Sequence, residues 1–175
     1  VQAKRVLEIF KEMSQIPRES GNEKGISDYI VNFAKNLGLE VHQDDQYNVV
    51  IKKPASPGYE NRPSIILQGH IDMVCVRDHD SNHDFTKDPI ANIIEGEWMH
   101  ADHTTLGADN GMGGAMMLAI LEDDSQQHGP MQLLFTTNEE TGMDGAFAIK
   151  EGQVSGDYLL NLDTEVEHDF TVSCA

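Results

Sequence analysis

Three short apolar runs of this chain each lead into acidic or histidine residues, and this feature constrains the fold most. The runs are 64–68, 131–137 and 158–162, and a longer apolar stretch at 112–121 lies between the first two. The motifs that end them are Gly69-His70-Ile71-Asp72, Asn138-Glu139-Glu140-Thr141-Gly142 and Asn161-Leu162-Asp163-Thr164-Glu165. Buried strands that alternate with helical patterns predict an α/β domain with a mixed, mostly parallel sheet flanked by helices.

Hydrophobic spacing predicts the remaining elements. Apolar residues at helical intervals predict helices at 3–15 and from 26 to 37, and Ser20 with Glu23 resembles a capping box before the second. Short strands are expected at 39–42, 48–52 and 170–174, and a short helix at 145–150. Residues 77–105 are polar and are expected to be irregular.

Composition limits the classes of protein to consider. With 175 residues and 39% apolar content, the chain suits one compact domain. The net charge of −18 argues against nucleic-acid binding, and the absence of an 18-residue apolar run argues against a membrane-spanning helix. Cys75 and Cys174 lie far apart and are expected to be free thiols in a reducing cytosol, which indicates a cytoplasmic protein.

Carboxylates and a histidine delivered to strand ends predict a metal site, because ligands bind at the carboxyl ends of parallel strands. His70 and Asp72 are two apart, so in an extended strand both side chains point the same way and both could be ligands. The favoured interpretation is that His70 binds metal and Asp72 stands behind it as an orienting carboxylate. Asp109 lies between Gly107 and Gly111, where it is either a helix N-cap or a carboxylate that bridges two metals. Asp163 is placed to complete a site with His70 and Asp109.

Glu139 and Glu140 are adjacent carboxylates after a buried run, and two such groups held together need a cation or a shared proton. A natural division makes Glu140 a metal ligand and leaves Glu139 free as a general base, since neighbouring side chains can point in opposite directions. The alternative is that these carboxylates never converge and belong to a solvated acidic surface.

Taken together and in order, the motifs resemble those of the aminoacyl-histidine dipeptidases. The motif Thr104-Thr105-Leu106-Gly107-Ala108-Asp109-Asn110-Gly111 and the segment 84–89 are part of the resemblance, which spans nearly the whole chain. These enzymes belong to the co-catalytic zinc metallopeptidases that include aminoacylase and the carboxypeptidase G type. The resemblance implies hydrolysis of Xaa-His dipeptides, with broad specificity, by a water molecule that two zinc ions activate; Mn²⁺ or Co²⁺ are alternative metals.

The resemblance also implies a role for each candidate residue. His70, Asp109 and Asp163 would hold one zinc ion, and Asp109 and Glu140 would hold the second. Glu139 would be the general base, and Asp72 would orient that base. A cis peptide bond is implied between Asp109 and Asn110.

Residues 1–175 are expected to be the N-terminal part of the catalytic domain. The resemblance places three parts outside this chain: a final histidine ligand, a lid domain that forms a homodimer, and the rest of the catalytic domain. The chain alone is therefore expected to bind one metal ion well and the second weakly, and to hydrolyse peptides poorly. The other histidines, His100, His103, His128 and His168, do not match that final ligand, and His100 and His103 are expected at the surface. The alternatives left open are an aminoacylase or other amide hydrolase, and a non-catalytic metal-binding interaction module.

Overall fold

The computed structural model describes residues 1–164 and 171–172. Its helices are α1 (Ala3–Met13), α2 (Lys24–Asn36), α3 (Ala108–Glu122), α4 (Glu139–Gly142) and α5 (Asp144–Ala148). Its strands are β1 (Glu40–Gln43), β2 (Val49–Lys53), β3 (Ile65–His70), β4 (Asn92–Glu95), β5 (Trp98–Ala101), β6 (Met131–Thr136) and β7 (Tyr158–Asn161).

A five-stranded sheet in the order β1-β2-β6-β3-β7 organises the domain. The strand β3 pairs in parallel with both β6 and β7, whereas β2 is antiparallel to both of its neighbours. The expected mixed sheet with flanking helices is therefore confirmed, with β2 as the antiparallel strand. Because β3, β6 and β7 run in the same direction, the residues that follow them emerge at one edge of the sheet.

The main core lies between one face of the sheet and the helices α1, α2 and α3. Phe10 and Ile30 of the first two helices, Met117 of α3, and Leu133 and Phe135 of β6 are all fully buried there. The apolar spacing at 3–15 and 26–37 thus predicted these helices correctly. The opposite face carries a smaller cluster of Val50, Ile66 and Leu134.

A buried lysine ties the sheet to the end of α3. The Lys53 side chain is 6% exposed, and its Nζ donates to the backbone oxygens of Ile120 (3.1 Å), Leu121 (2.8 Å) and Asp123 (3.3 Å). The cation therefore satisfies carbonyls that a helix end leaves without partners, and it meets the negative end of the helix dipole.

Two sequence predictions need correction. Residues 77–105 are not wholly irregular, because β4 and β5 form an antiparallel hairpin around Gly96. Ser20 and Glu23 do not form a capping box: α2 has no side-chain cap, and both side chains instead face the candidate site. The apolar stretch at 112–121 is helical, as its length indicates, and lies within α3 after the non-helical Asp109 and Asn110. The strand predicted at 170–174 lies largely outside the described residues.

No helix in the part of the chain that the structure describes combines the length and apolar character needed to cross a membrane.

Candidate metal centre

His70 is the last residue of β3, and Asp72 follows it two residues later in the buried part of the site. The imidazole is 1% exposed and Asp72 is fully buried. The Nδ1 atom of His70 lies 3.2 Å from Asp72 Oδ1, which leaves Nε2 directed toward the other carboxylates. This arrangement fixes the orientation of the ring, as a carboxylate behind a metal-binding histidine does.

Asp72 also holds the segment that carries the two glutamates. Its Oδ1 accepts from the backbone N–H of Glu139 (3.1 Å), and its Oδ2 accepts from the N–H of Glu140 (3.2 Å) and from the Ser20 hydroxyl (2.7 Å). Burial alone would raise the pKa of Asp72, but the hydrogen bonds from His70, Ser20 and Glu139 outweigh it and lower that pKa. The carboxylate therefore stays ionised and links the ends of β3 and β6.

Asp109 enters the site from an irregular start of α3. Gly107 has φ 72°, and Asp109 and Asn110 are non-helical, so the helix proper follows them. The peptide bond between Asp109 and Asn110 is cis, as the resemblance implied. Asp109 Oδ1 lies 3.1 Å from His70 Nε2, and the Asp109 side chain is 61% exposed. Among the described residues, the Asp109 side chain contacts His70 and makes no hydrogen bond to a backbone N–H of α3, so the N-cap interpretation has no support in the structure.

A single helical turn, α4, presents Glu139 and Glu140. It lies between Asn138 (φ 54°) and Met143 (φ 59°), both in the left-handed region. Asparagine tolerates this conformation better than most residues, and Glu23 holds it by accepting the Asn138 N–H at 3.0 Å. Glu139 Oε2 consequently lies 3.8 Å from His70 Nε2.

Asp163 reaches the site from the end of β7. Its Oδ2 lies 3.7 Å from His70 Nε2, and its Oδ1 accepts from Asn110 Nδ2 at 3.2 Å. The same amide donates to the backbone oxygen of Leu162 at 2.7 Å. Asn110 therefore connects the start of α3 to the end of β7, and its position depends on two glycines: a Cβ would lie 2.3 Å from Asn110 Oδ1 at Gly69 and 2.6 Å at Gly113.

The predicted residues thus come together around His70 Nε2. Ligand atoms of His70, Asp109 and Glu140 lie within 4.8 Å of one another, with Asp163 and Glu139 beside them. Burial, and then the charge of Asp109, raise the pKa of Glu140 and of Asp163, although His70 opposes this shift. No Lys or Arg in the described part of the chain forms an ion pair with these carboxylates.

This excess of negative charge fits divalent metal ions, because crowded carboxylates without a cation resist ionisation. For the histidine, the same negative surroundings favour the protonated, positively charged form. Burial would lower the pKa of His70, but the hydrogen bond and charge of Asp72, with the charges of Asp163 and Glu139, raise it to about 9. Imidazole and carboxylate donors suit zinc, manganese and cobalt alike.

The other histidines lie elsewhere. His100 and His103 are exposed, as expected, and His103 contacts Asp78 at 2.7 Å in a separate surface group with Asp80. His128 is half-buried against the backbone of Gly129. His168 lies outside the described residues.

Sequence reasoning missed four residues that support the site: Arg18, Ser20, Glu23 and Asn110. No local pattern in the sequence indicates this role, because each residue contacts segments that are distant in sequence. The glycines at 69 and 113 were the available clue, since glycine in a strand or helix marks a close approach by another group.

Comparison with known proteins assigns the chain to a family. Residues 66–172 match the model of Peptidase family M20/M25/M40, so the chain belongs to that family. It is 46% identical over 168 residues to the cytosol non-specific dipeptidase of Escherichia coli, which covers 96% of this chain and 35% of that protein.

Solved structures agree in fold and sequence. The chain matches an aminoacylhistidine dipeptidase from Vibrio alginolyticus with a TM-score of 0.92 and 46% identity, over 95% of this chain and 34% of that one. It matches a tripeptidase from Staphylococcus aureus with a TM-score of 0.80 and 26% identity, over 95% and 44%. The chain spans about a third of the length of the two dipeptidases.

Proposed function

We propose that this chain is the N-terminal part of the catalytic domain of a cytoplasmic metallo-dipeptidase with a di-zinc centre. The convergence of His70, Asp109, Glu140 and Asp163 on one point, with Glu139 beside them, is the observation that carries the proposal. Membership of a peptidase family and similarity to two dipeptidases support the reaction class.

His70, Asp109 and Asp163 would hold the first metal ion, and Asp109 with Glu140 would hold part of the second. Two metal ions so bound would polarise the substrate carbonyl and lower the pKa of a water molecule. The remaining ligand of the second ion, a lid domain and a homodimer interface would lie in parts of the protein outside this chain. The chain alone should then bind one metal ion well and the second weakly, and should hydrolyse peptides poorly.

Glu139 is suited to handle the proton. It is adjacent to Glu140 but separate from the group of three ligand atoms, and Asp72 fixes the backbone of both residues. As the attacking water adds to the peptide carbonyl, Glu139 would accept its proton and then donate it to the leaving amine. Asp72 takes no proton in this scheme; it keeps the His70 ring and the α4 turn in place.

Dipeptides of the Xaa-His type, with broad tolerance, are the proposed substrates. The local negative charge would attract the free α-amino group of a dipeptide. N-acyl amino acids lack that amino group, so a comparison of both substrate classes distinguishes the dipeptidase from an aminoacylase. A clear preference for N-acyl amino acids would contradict the proposed substrate class.

The test of the base is Glu139→Gln in the full-length protein that contains this chain. We expect kcat to fall by about 10²–10⁴-fold, because a general base contributes that much, while bound zinc per chain is unchanged. Glu140→Gln should lower the zinc content as well as activity, since it removes a ligand. Glu97→Gln, in the exposed turn between β4 and β5, is the control and should change neither.

Zinc content is measured by elemental analysis after dialysis, and activity by release of histidine from Xaa-His dipeptides. Near-normal turnover by the Glu139→Gln protein would refute the assignment of the base. A folded parent protein that holds no zinc would refute the metal centre altogether and would favour a non-catalytic acidic domain.

A further inference from the structure

Arg18 is a buried cation in the loop between α1 and α2. Its side chain is 2% exposed, yet its hydrogen bonds go to backbone oxygens rather than to a carboxylate. Nη1 donates to the backbone oxygens of Ile71 and Asp72, both at 3.2 Å, and Nη2 donates to that of Gly107 at 2.6 Å. Burial of a charge is costly unless such partners compensate, so this residue calls for an explanation.

The two backbone segments that Arg18 joins are those that deliver the metal ligands. Ile71 and Asp72 directly follow His70, and Gly107 lies two residues before Asp109. Ile71 and Asp72 lie 53 and 54 residues from Arg18 in sequence, and Gly107 lies 89 residues from it. One planar guanidinium thus spans the gap between the end of β3 and the start of α3, which a flexible single amine would not do.

The chain leaves space for this guanidinium on both sides of Asp109. A Cβ at Gly107 would lie 2.5 Å from Arg18 Nη2, and a Cβ at Gly111 would lie 2.7 Å from the same atom. Such contacts are shorter than real Cβ atoms show, so side chains at either position would displace the guanidinium. The glycines that flank Asp109 therefore fit the backbone around Arg18.

The same loop contacts the site in two further places. Ser20 donates to Asp72 Oδ2 at 2.7 Å, and Glu23 accepts the N–H of Asn138 at 3.0 Å, just before the α4 turn. Hydrogen bonds from three side chains of one loop thus reach the three segments that carry His70, Asp109 and Glu140. None of the three is among the converging ligand groups.

We propose that Arg18 is a positioning residue of the metal centre, which sets the separation between His70 and Asp109 by holding their two segments together. The inference rests on the proposed function, since it requires that the site binds metal. Groups behind the ligands affect metal affinity by about 10–100-fold, because the ligands must already be in place when the ion binds. Loss of the guanidinium would let the two segments move independently.

The test compares metal affinity in the full-length parent, Arg18→Met, Arg18→Lys and Arg5→Met. Arg5→Met is the matched control, because Arg5 forms ion pairs with Glu12 of α1 and Glu122 of α3, away from the site. Zinc affinity is measured by competition with a chromophoric chelator, and the visible spectrum of the cobalt form reports ligand geometry. Circular dichroism of each metal-free protein verifies the fold.

We expect zinc affinity to fall by about 10–100-fold in Arg18→Met, with an altered cobalt spectrum. Arg18→Lys should lie between it and the parent, because an ammonium keeps the charge but cannot span both segments. Arg5→Met should keep the affinity and spectrum of the parent even if its melting temperature falls, which separates positioning from general stability.

A folded Arg18→Met protein with parental affinity and spectrum would overturn the inference. If Arg18→Met does not fold, the Arg18→Lys protein decides the question. A reduced zinc affinity in Arg18→Lys supports the positioning role of Arg18, and a parental zinc affinity overturns it. A parent that binds no metal would instead refute the proposed function, so the two failures are distinguishable.

Discussion

Gly69→Ala tests how the core and the site share one contact. Gly69 is buried in β3, next to His70, and a Cβ there would lie 2.3 Å from Asn110 Oδ1. A Cβ atom essentially never lies closer than 3.0 Å to another non-bonded heavy atom. The Asn110 amide would therefore have to move by at least 0.7 Å, the difference between 3.0 and 2.3 Å. Asn110 donates to Leu162 and Asp163, so this movement would disturb the end of β7.

The expected cost follows from these contacts. Overpacking of a buried position costs about 1–3 kcal/mol, and each of the two disturbed hydrogen bonds contributes about 0.5–1.5 kcal/mol. Alanine recovers about 0.5–1 kcal/mol, because glycine loses more conformational freedom on folding. We therefore expect the free energy of unfolding to fall by about 3 kcal/mol, and zinc affinity to fall with it because Asp163 is displaced.

Chemical denaturation of the metal-free protein measures the loss of stability. Gly25→Ala in α2 is the control, because its Cβ would meet only the Ile16 side chain, at 3.2 Å. Alanine favours a helix over glycine by about 1 kcal/mol, so this control should be neutral or slightly more stable than the parent.

A double-mutant cycle with Asn110→Ala can refute the reasoning. Removal of the Asn110 side chain relieves the clash, so the double variant should be more stable than the sum of the single losses predicts, by about 1–3 kcal/mol. Additive losses would show that the alanine at 69 acts through some other contact.

Two further predictions concern positions away from the site. Lys53→Met should lower the free energy of unfolding by about 1–3 kcal/mol, because it leaves the carbonyls at the end of α3 without their donor. The control is the exposed neighbour Lys52: Lys52→Met should change the free energy of unfolding by less than about 0.5 kcal/mol in the same denaturation assay. Burial, and then the charge of Glu19, raise the pKa of Cys75 to about 11, so its thiolate at pH 8 should be about a hundredfold scarcer than that of an ordinary cysteine with a value near 9. Alkylation by iodoacetamide, read by peptide mapping, should be correspondingly slow at Cys75 and should accelerate as the pH rises toward 11; a rate at pH 8 equal to that of an unstructured cysteine peptide would contradict this.

The sequence predicted the buried elements well because their signals are local. The apolar runs before His70 and Glu139 fixed β3 and β6, and helical spacing fixed α1 and α2. The β4–β5 hairpin was not predicted, because apolar and polar residues alternate only weakly along its strands. Ile94 and Trp98 are exposed, so the strands have no continuous apolar face.

The candidate ligands were also visible, because strand order brings the carboxyl ends of β3, β6 and β7 to one edge. The residues that hold these ligands in place could not be predicted from the sequence. The pair Ser20 and Glu23 has the spacing of a capping box, yet both side chains bind partners 52 and 115 residues away. Long-range hydrogen bonds of this kind leave no period in the sequence, so only the folded chain shows them.

The parallel pairing of β3 with β6 and β7 has a consequence for the order of folding. His70 and Asp163 are 93 positions apart, and they come together through the pairing of β3 with β7. Closing long loops before any contact forms is entropically unfavourable, and topologies rich in distant pairings fold slowly. We therefore expect a metal ion to bind late, to a sheet that is already assembled, so that its uptake would mark the completion of folding rather than its beginning.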